Sequence, residues 1–136
     1  MYITAILTGC QKHSTVVTLS DAPLTLNDMP IVLKPENPLL RTNRSLSIRI
    51  QIKEIWAPEP PWKNIRMQDG TIVTITAILF SEKGTQYHPI IIGAAGGIDI
   101  RFNDSIPKDT KIVKIVLTST HPLTALNITW FDWNPK

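Results

Sequence analysis

Cysteine is almost absent from the 136-residue chain. The single Cys10 cannot form an internal disulfide, and the three histidines, His13, His88 and His121, stand too far apart to supply the clustered ligands of a zinc site. Glycine is scarce, at six residues, and its one concentration, Gly93 to Gly97, lacks the Gly-Lys-Ser/Thr ending of a phosphate-binding loop and leads into strand-like sequence, so it reads as a bend. Charge is low as well. Lys, Arg, Asp and Glu make up 18% of the chain, and the net charge of +3 is unclustered, which argues against nucleic acid as a partner. The first apolar run, Tyr2 to Leu7, falls far short of the roughly 20 residues that cross a bilayer as a helix. An apolar period of 3.6 is nowhere sustained, so long amphipathic helices are not expected.

What the chain has in quantity is proline and β-branched residues. Eleven prolines, from Pro23 to Pro135, break helices almost throughout, while Ile, Val and Thr favour strands. With 43% hydrophobic residues the chain can bury one core, and its length suits one domain. Strands are expected at Thr15 to Ser20, around Ile31 to Leu33, and from Ser45 to Ile55, where Leu46, Ile48, Ile50 and Ile52 alternate with Ser47, Arg49, Gln51 and Lys53. Trp56 to Trp62, with Pro58, Pro60 and Pro61, reads as an extended loop. Thr71 to Phe80 is apolar on both faces and reads as a central strand. A turn through Gly84 then returns Thr85 to Ile92 antiparallel to it. Ile98 to Phe102, Lys111 to Ser119 and Leu126 to Phe131 complete the set. Seven to eight short strands with turn signals between them imply an all-β, two-layer antiparallel β-sandwich, with jelly-roll or immunoglobulin-like connectivity left open.

The tetrapeptide Leu7-Thr8-Gly9-Cys10, directly after the apolar run, resembles a bacterial lipobox. The resemblance covers those four positions and implies a bacterial lipoprotein: the Cys10 thiol carries a diacylglyceryl group, the bond before it is cut, and acyl chains hold the following domain to a bilayer. On this reading residues 1–9 are a truncated signal-like segment, 10–14 a lipidated cysteine and short tether, and 15–136 a single sandwich domain. Gln11, by resemblance to enterobacterial sorting, directs such a protein to the outer membrane, facing the periplasm. The alternative is a first strand over Tyr2 to Thr8 with an ordinary buried cysteine, which would suit a cytoplasmic protein.

Candidate chemistry is sparse. No nucleophile-elbow motif supports Ser81 or Ser119 as a nucleophile beside a histidine, and the pairs Asp99 with Asp104 and Asp69 with Asp109 read as solvated turn residues. Binding is better represented. Trp56 and Trp62 bracket the proline loop and Trp133 closes the chain, so exposed tryptophans could stack on sugars or anchor a protein. Arg41, Arg44, Arg49 and Lys53 form a run of cations without an intervening acid, suited to an acidic partner or anionic headgroups. The expected function is a non-catalytic, envelope-tethered module engaging a protein partner, with no cofactor and no metal. A carbohydrate-binding module and a hydrolase with dispersed residues are the alternatives.

Overall fold

The computed structural model describes residues 15–42, 45–94, 97–102 and 105–133. Cys10, Arg44 and Asp104 lie outside them. The described residues form thirteen strands and no α-helix, arranged as two antiparallel sheets packed face to face.

One sheet has the order β1 (Thr15–Ser20), β13 (Leu123–Trp133), β5 (Ser45–Ile52), β11 (Ile98–Arg101), β10 (Ile91–Ala94), with β2 (Leu24–Leu26) also on β13. The other runs β3 (Ile31–Leu33), β12 (Lys111–Ser119), β8 (Ile72–Ser81), β7 (Asn64–Met67), β6 (Trp56–Glu59). In this second sheet β4 (Leu39–Leu40) pairs with β12, and β9 (Gln86–Tyr87) with β8. The pairing is nested. The first strands, β1 and β2, join the last, β13; β3 and β4 join β12; β5 joins β11; and β8 joins β9 at the centre. Successive pairs alternate between sheets, which is the jelly-roll order and not the immunoglobulin one.

Strand alternation decides what is buried. Leu46, Ile48 and Ile50 of β5, Ile98 and Ile100 of β11, and Ile128 and Trp130 of β13 point inward, against Val73, Ile75, Ala77 and Leu79 of β8 and Ile112, Ile115 and Leu117 of β12. Burying each large aliphatic side chain contributes roughly 1.5–3 kcal/mol. Thr85 to Ile92 does not return as one strand. Gln86 and Tyr87 pair with β8, and after Pro89 the chain crosses to the other sheet as β10. Trp56 to Glu59 is a strand where a loop is expected, on the sheet edge, where prolines are tolerated. Leu126 does not share the face of Ile128 and Trp130. The register shifts between Ala125 and Asn127, and Leu126 is left 40% exposed.

Candidate functional site

The six described cation and tryptophan candidates, Arg41, Arg49, Lys53, Trp56, Trp62 and Trp133, are dispersed by the fold. Arg41 is buried, at 5% exposure, in the segment that pairs its backbone with Asp109 and Thr110. Arg49 lies mid-strand on the outward face of β5, and Lys53 beyond the opposite end of that strand. No continuous basic stripe therefore runs through Arg41, Arg49 and Lys53.

Trp56 packs against the core edge, and Trp133 is half-buried beside Phe131, their ring centroids 5.8 Å apart. Trp62 is 45% exposed with φ of 74°, and its carbonyl accepts the N–H of Ile92 outside the β10 edge. Three inter-strand spacings, about 14 Å, separate that edge from β13, so Trp62 and Trp133 do not form one stacking platform.

Of the residues weighed for catalysis, Ser81, Ser119 and Asp69 serve turns, whereas Asp99, expected as a solvated turn acid, is buried within β11. The Ser81 hydroxyl accepts the N–H groups of Lys83 and Thr85, and the Ser119 hydroxyl donates to the carbonyl of His121. Asp69 accepts the N–H of Thr71 at 3.0 Å. That bond, reinforced by nearby His121, holds its carboxyl below the usual range. Asp109 sits at the other end of the sandwich, about 30 Å away along β8. A shallow groove of about 630 Å³ at the Asp69 end is lined by Lys53, Glu54, Met67, Asp69, His121 and Pro122. Both Glu54 oxygens accept the N–H of Thr124, at 3.0 and 3.1 Å. Neither Ser81 nor Ser119 lines this groove. Among the described residues no three His, Cys, Asp or Glu side chains converge as metal ligands.

Two outward sheet faces remain, and they differ in chemistry. On the β3–β12–β8 sheet, Val32, Val116 and Ile78 are direct cross-strand neighbours in one row pointing away from the core. Val32 is 49% exposed, and Phe80 lies in the next row under Lys114, whose Nζ is 4.2 Å from the ring centroid. Leu40, 40% exposed beside Lys111, extends the apolar surface. The apolarity of Thr71 to Phe80 on both faces was the available signal. One face builds the core, and among the described residues the other has no second layer packed on it, leaving Ile78 and Phe80 half-buried.

On the opposite sheet, Arg49 and Arg101 both donate from Nε to Asp99, at 3.0 and 2.7 Å, and Phe131 lies under the Arg49 guanidinium at 4.0 Å. Asp99 is 2% exposed although it faces away from the core. The sequence signal here was the alternation of Ile98 to Phe102, which sets Asp99 and Arg101 on one strand face; the place of Arg49 opposite Asp99 comes from strand pairing alone. Comparison of the chain with families of known proteins, with curated proteins and with solved structures finds no match.

Proposed function

We propose that the protein is a non-catalytic binding module that engages a protein partner through the outward face of the β3–β12–β8 sheet, tethered to the bacterial envelope by lipid on Cys10. The observation that carries the partner reading is the row Val32–Val116–Ile78. Val32 and Leu40 are exposed, and Val116, Ile78 and Phe80 are half-buried on the same face, an apolar grouping of the kind that marks interaction sites. Lys111 and Lys114 stand at its margin, which suits a partner whose own apolar patch is bordered by acids. The tether reading rests on the lipobox resemblance of Leu7-Thr8-Gly9-Cys10. A sandwich with nested pairing is compatible with many functions, so the fold adds nothing to the choice.

A photoreactive amino acid placed at Ile78, and separately at Lys83 in the β8–β9 turn as control, tests the partner surface in the native host. A discrete protein adduct from position 78 and none from 83 is expected. Equal labelling from both positions, or none from 78, overturns the reading. Fractionation of the same cells with a Cys10→Ala variant tests the tether. The variant leaves the membrane fraction if the cysteine is acylated, and an unchanged distribution refutes the anchor.

A further inference from the structure

The paired guanidiniums of Arg49 and Arg101 lie on the sheet face opposite the apolar row. We infer that they are a carboxylate-binding site for an acidic segment of a protein. This inference does not depend on the proposed partner surface, because the two faces point in opposite directions.

The site is built rather than incidental. Asp99, on β11, is directly opposite Arg49 of β5, with Gly93 of β10 on its other side, and Arg101 is two residues along on the same face. Each arginine spends its Nε on a different oxygen of Asp99, whose side chain is 3% exposed. Two cations around one carboxylate leave a net positive charge. Among the described residues these three are the charged side chains on the outward face of strands β1, β13, β5, β11 and β10.

The orientation of the guanidiniums is fixed from below. The Arg49 group rests on the Phe131 ring at 4.0 Å, and the Arg101 group lies across Gly93, where a Cβ would meet Nη2 at 3.0 Å. Among the described residues the hydrogen bonds of the two side chains run through Nε, and their Nη atoms make none. Arg49 and Arg101 side chains are 23% and 41% exposed. Flat guanidiniums whose Nη donors are not yet engaged match the two oxygens of a carboxylate, and prior immobilisation lowers the entropy lost on binding.

The surroundings favour a peptide over a membrane surface. A headgroup-binding patch gathers about four to eight basic residues, whereas this face carries two with an acid between them. Beside the cations lie Phe131, Trp133 and Val16, the last 43% exposed, which suit an apolar or aromatic residue adjacent to the acid. Ser47, between Phe131 and Arg101 in register, has a buried hydroxyl with no hydrogen-bond partner among the described residues.

The test is a nuclear magnetic resonance titration of the ¹⁵N-labelled full chain with a synthetic peptide of alternating glutamate and phenylalanine. The matched glutamine–phenylalanine peptide, inorganic phosphate and vesicles containing phosphatidylglycerol serve as comparisons. Expected are shifts of the Arg49 and Arg101 Nε–H signals and of β5 and β11 amides with the glutamate peptide alone. Arg101→Gln weakens that binding by about tenfold or more. Gly93→Ala, which displaces the Arg101 guanidinium without changing charge, weakens it too, so the inference stays testable if one variant folds poorly. Equal binding of the glutamine peptide, shifts elsewhere, or a response to phosphate or vesicles without one to the peptide overturns the inference.

Discussion

Oδ2 of Asp132 accepts two hydrogen bonds from Thr42, one from its N–H at 2.7 Å and one from its hydroxyl at 3.1 Å. The two residues are 90 positions apart, and Asp132 is wholly buried on the core side of β13, in register with Leu46. The carboxylate thus ties the chain entering β5 to the final strand. Replacing it with Ala removes the acceptor of both bonds inside the protein and is expected to cost about 2–4 kcal/mol in urea unfolding, with Asp132→Asn costing less. A loss below about 0.5 kcal/mol for the Ala variant would contradict this role.

Gly97 and Gly84 both have positive φ, at 122° and 86°, yet alanine is expected to act differently at each. A Cβ on Gly97 would stand 2.8 Å from the backbone oxygen of Ile50, whereas one on Gly84 meets open space. Gly84→Ala should cost about 1–2 kcal/mol through backbone conformation alone. Gly97→Ala should cost more, because a backbone atom of β5 must move. Thermal melting of the two variants side by side checks the order, and equal losses would refute it.

Stability should fall in acid partly through Glu54. Burial raises its carboxyl, but the Thr124 N–H on both oxygens and the charge of Lys53 outweigh that, leaving it below the usual value of 4.5. A depressed carboxyl means the unfolded chain binds more protons, so stability is present above pH 4.5 and is lost as pH falls through the folded value. Glu54→Gln should flatten the decline of melting temperature below pH 4.5 and leave the slope near neutrality unchanged. A variant whose acid slope equals that of the parent would show that the groove carboxylate is not involved.

The four tryptophans should differ in solvent contact. Trp130 is fully buried and Trp62 is 45% exposed, with Trp56 and Trp133 between them. Trp62→Phe should remove the most acrylamide-quenchable, longest-wavelength part of the emission and cost little stability. Trp130→Ala should cost about 3–5 kcal/mol. Emission of the Trp62→Phe variant that stays as quenchable as the parent's would mean the proline loop is packed differently.

Much of the fold was legible because strand alternation is a local property. The inward set Leu46, Ile48, Ile50 followed from period two alone, and the turn through Gly84 followed from the only residue type that takes its φ freely. Where pairing partners decide, the reading diverged. Pro58 forbids a central strand but not an edge one, and nothing between Thr85 and Ile92 announces that the chain changes sheets after Tyr87. The candidate site followed the same division. Arg49 was visible as a cation on a polar face, whereas Asp99 read as a turn acid. Only its register opposite Arg49 makes it the buried centre of a cluster.

By itself the sequence determined the class, all-β and two-layered, because proline excludes helices and alternating Ile, Leu and Val demand a sheet with one buried face. Tertiary structure alone decided the nested order of the strands and the chemistry of the two outward faces. Both depend on which strands lie side by side. Val32, Val116 and Ile78 are separated by long stretches of chain and form a surface only through β12, and Arg49 meets Asp99 only because β5 pairs with β11.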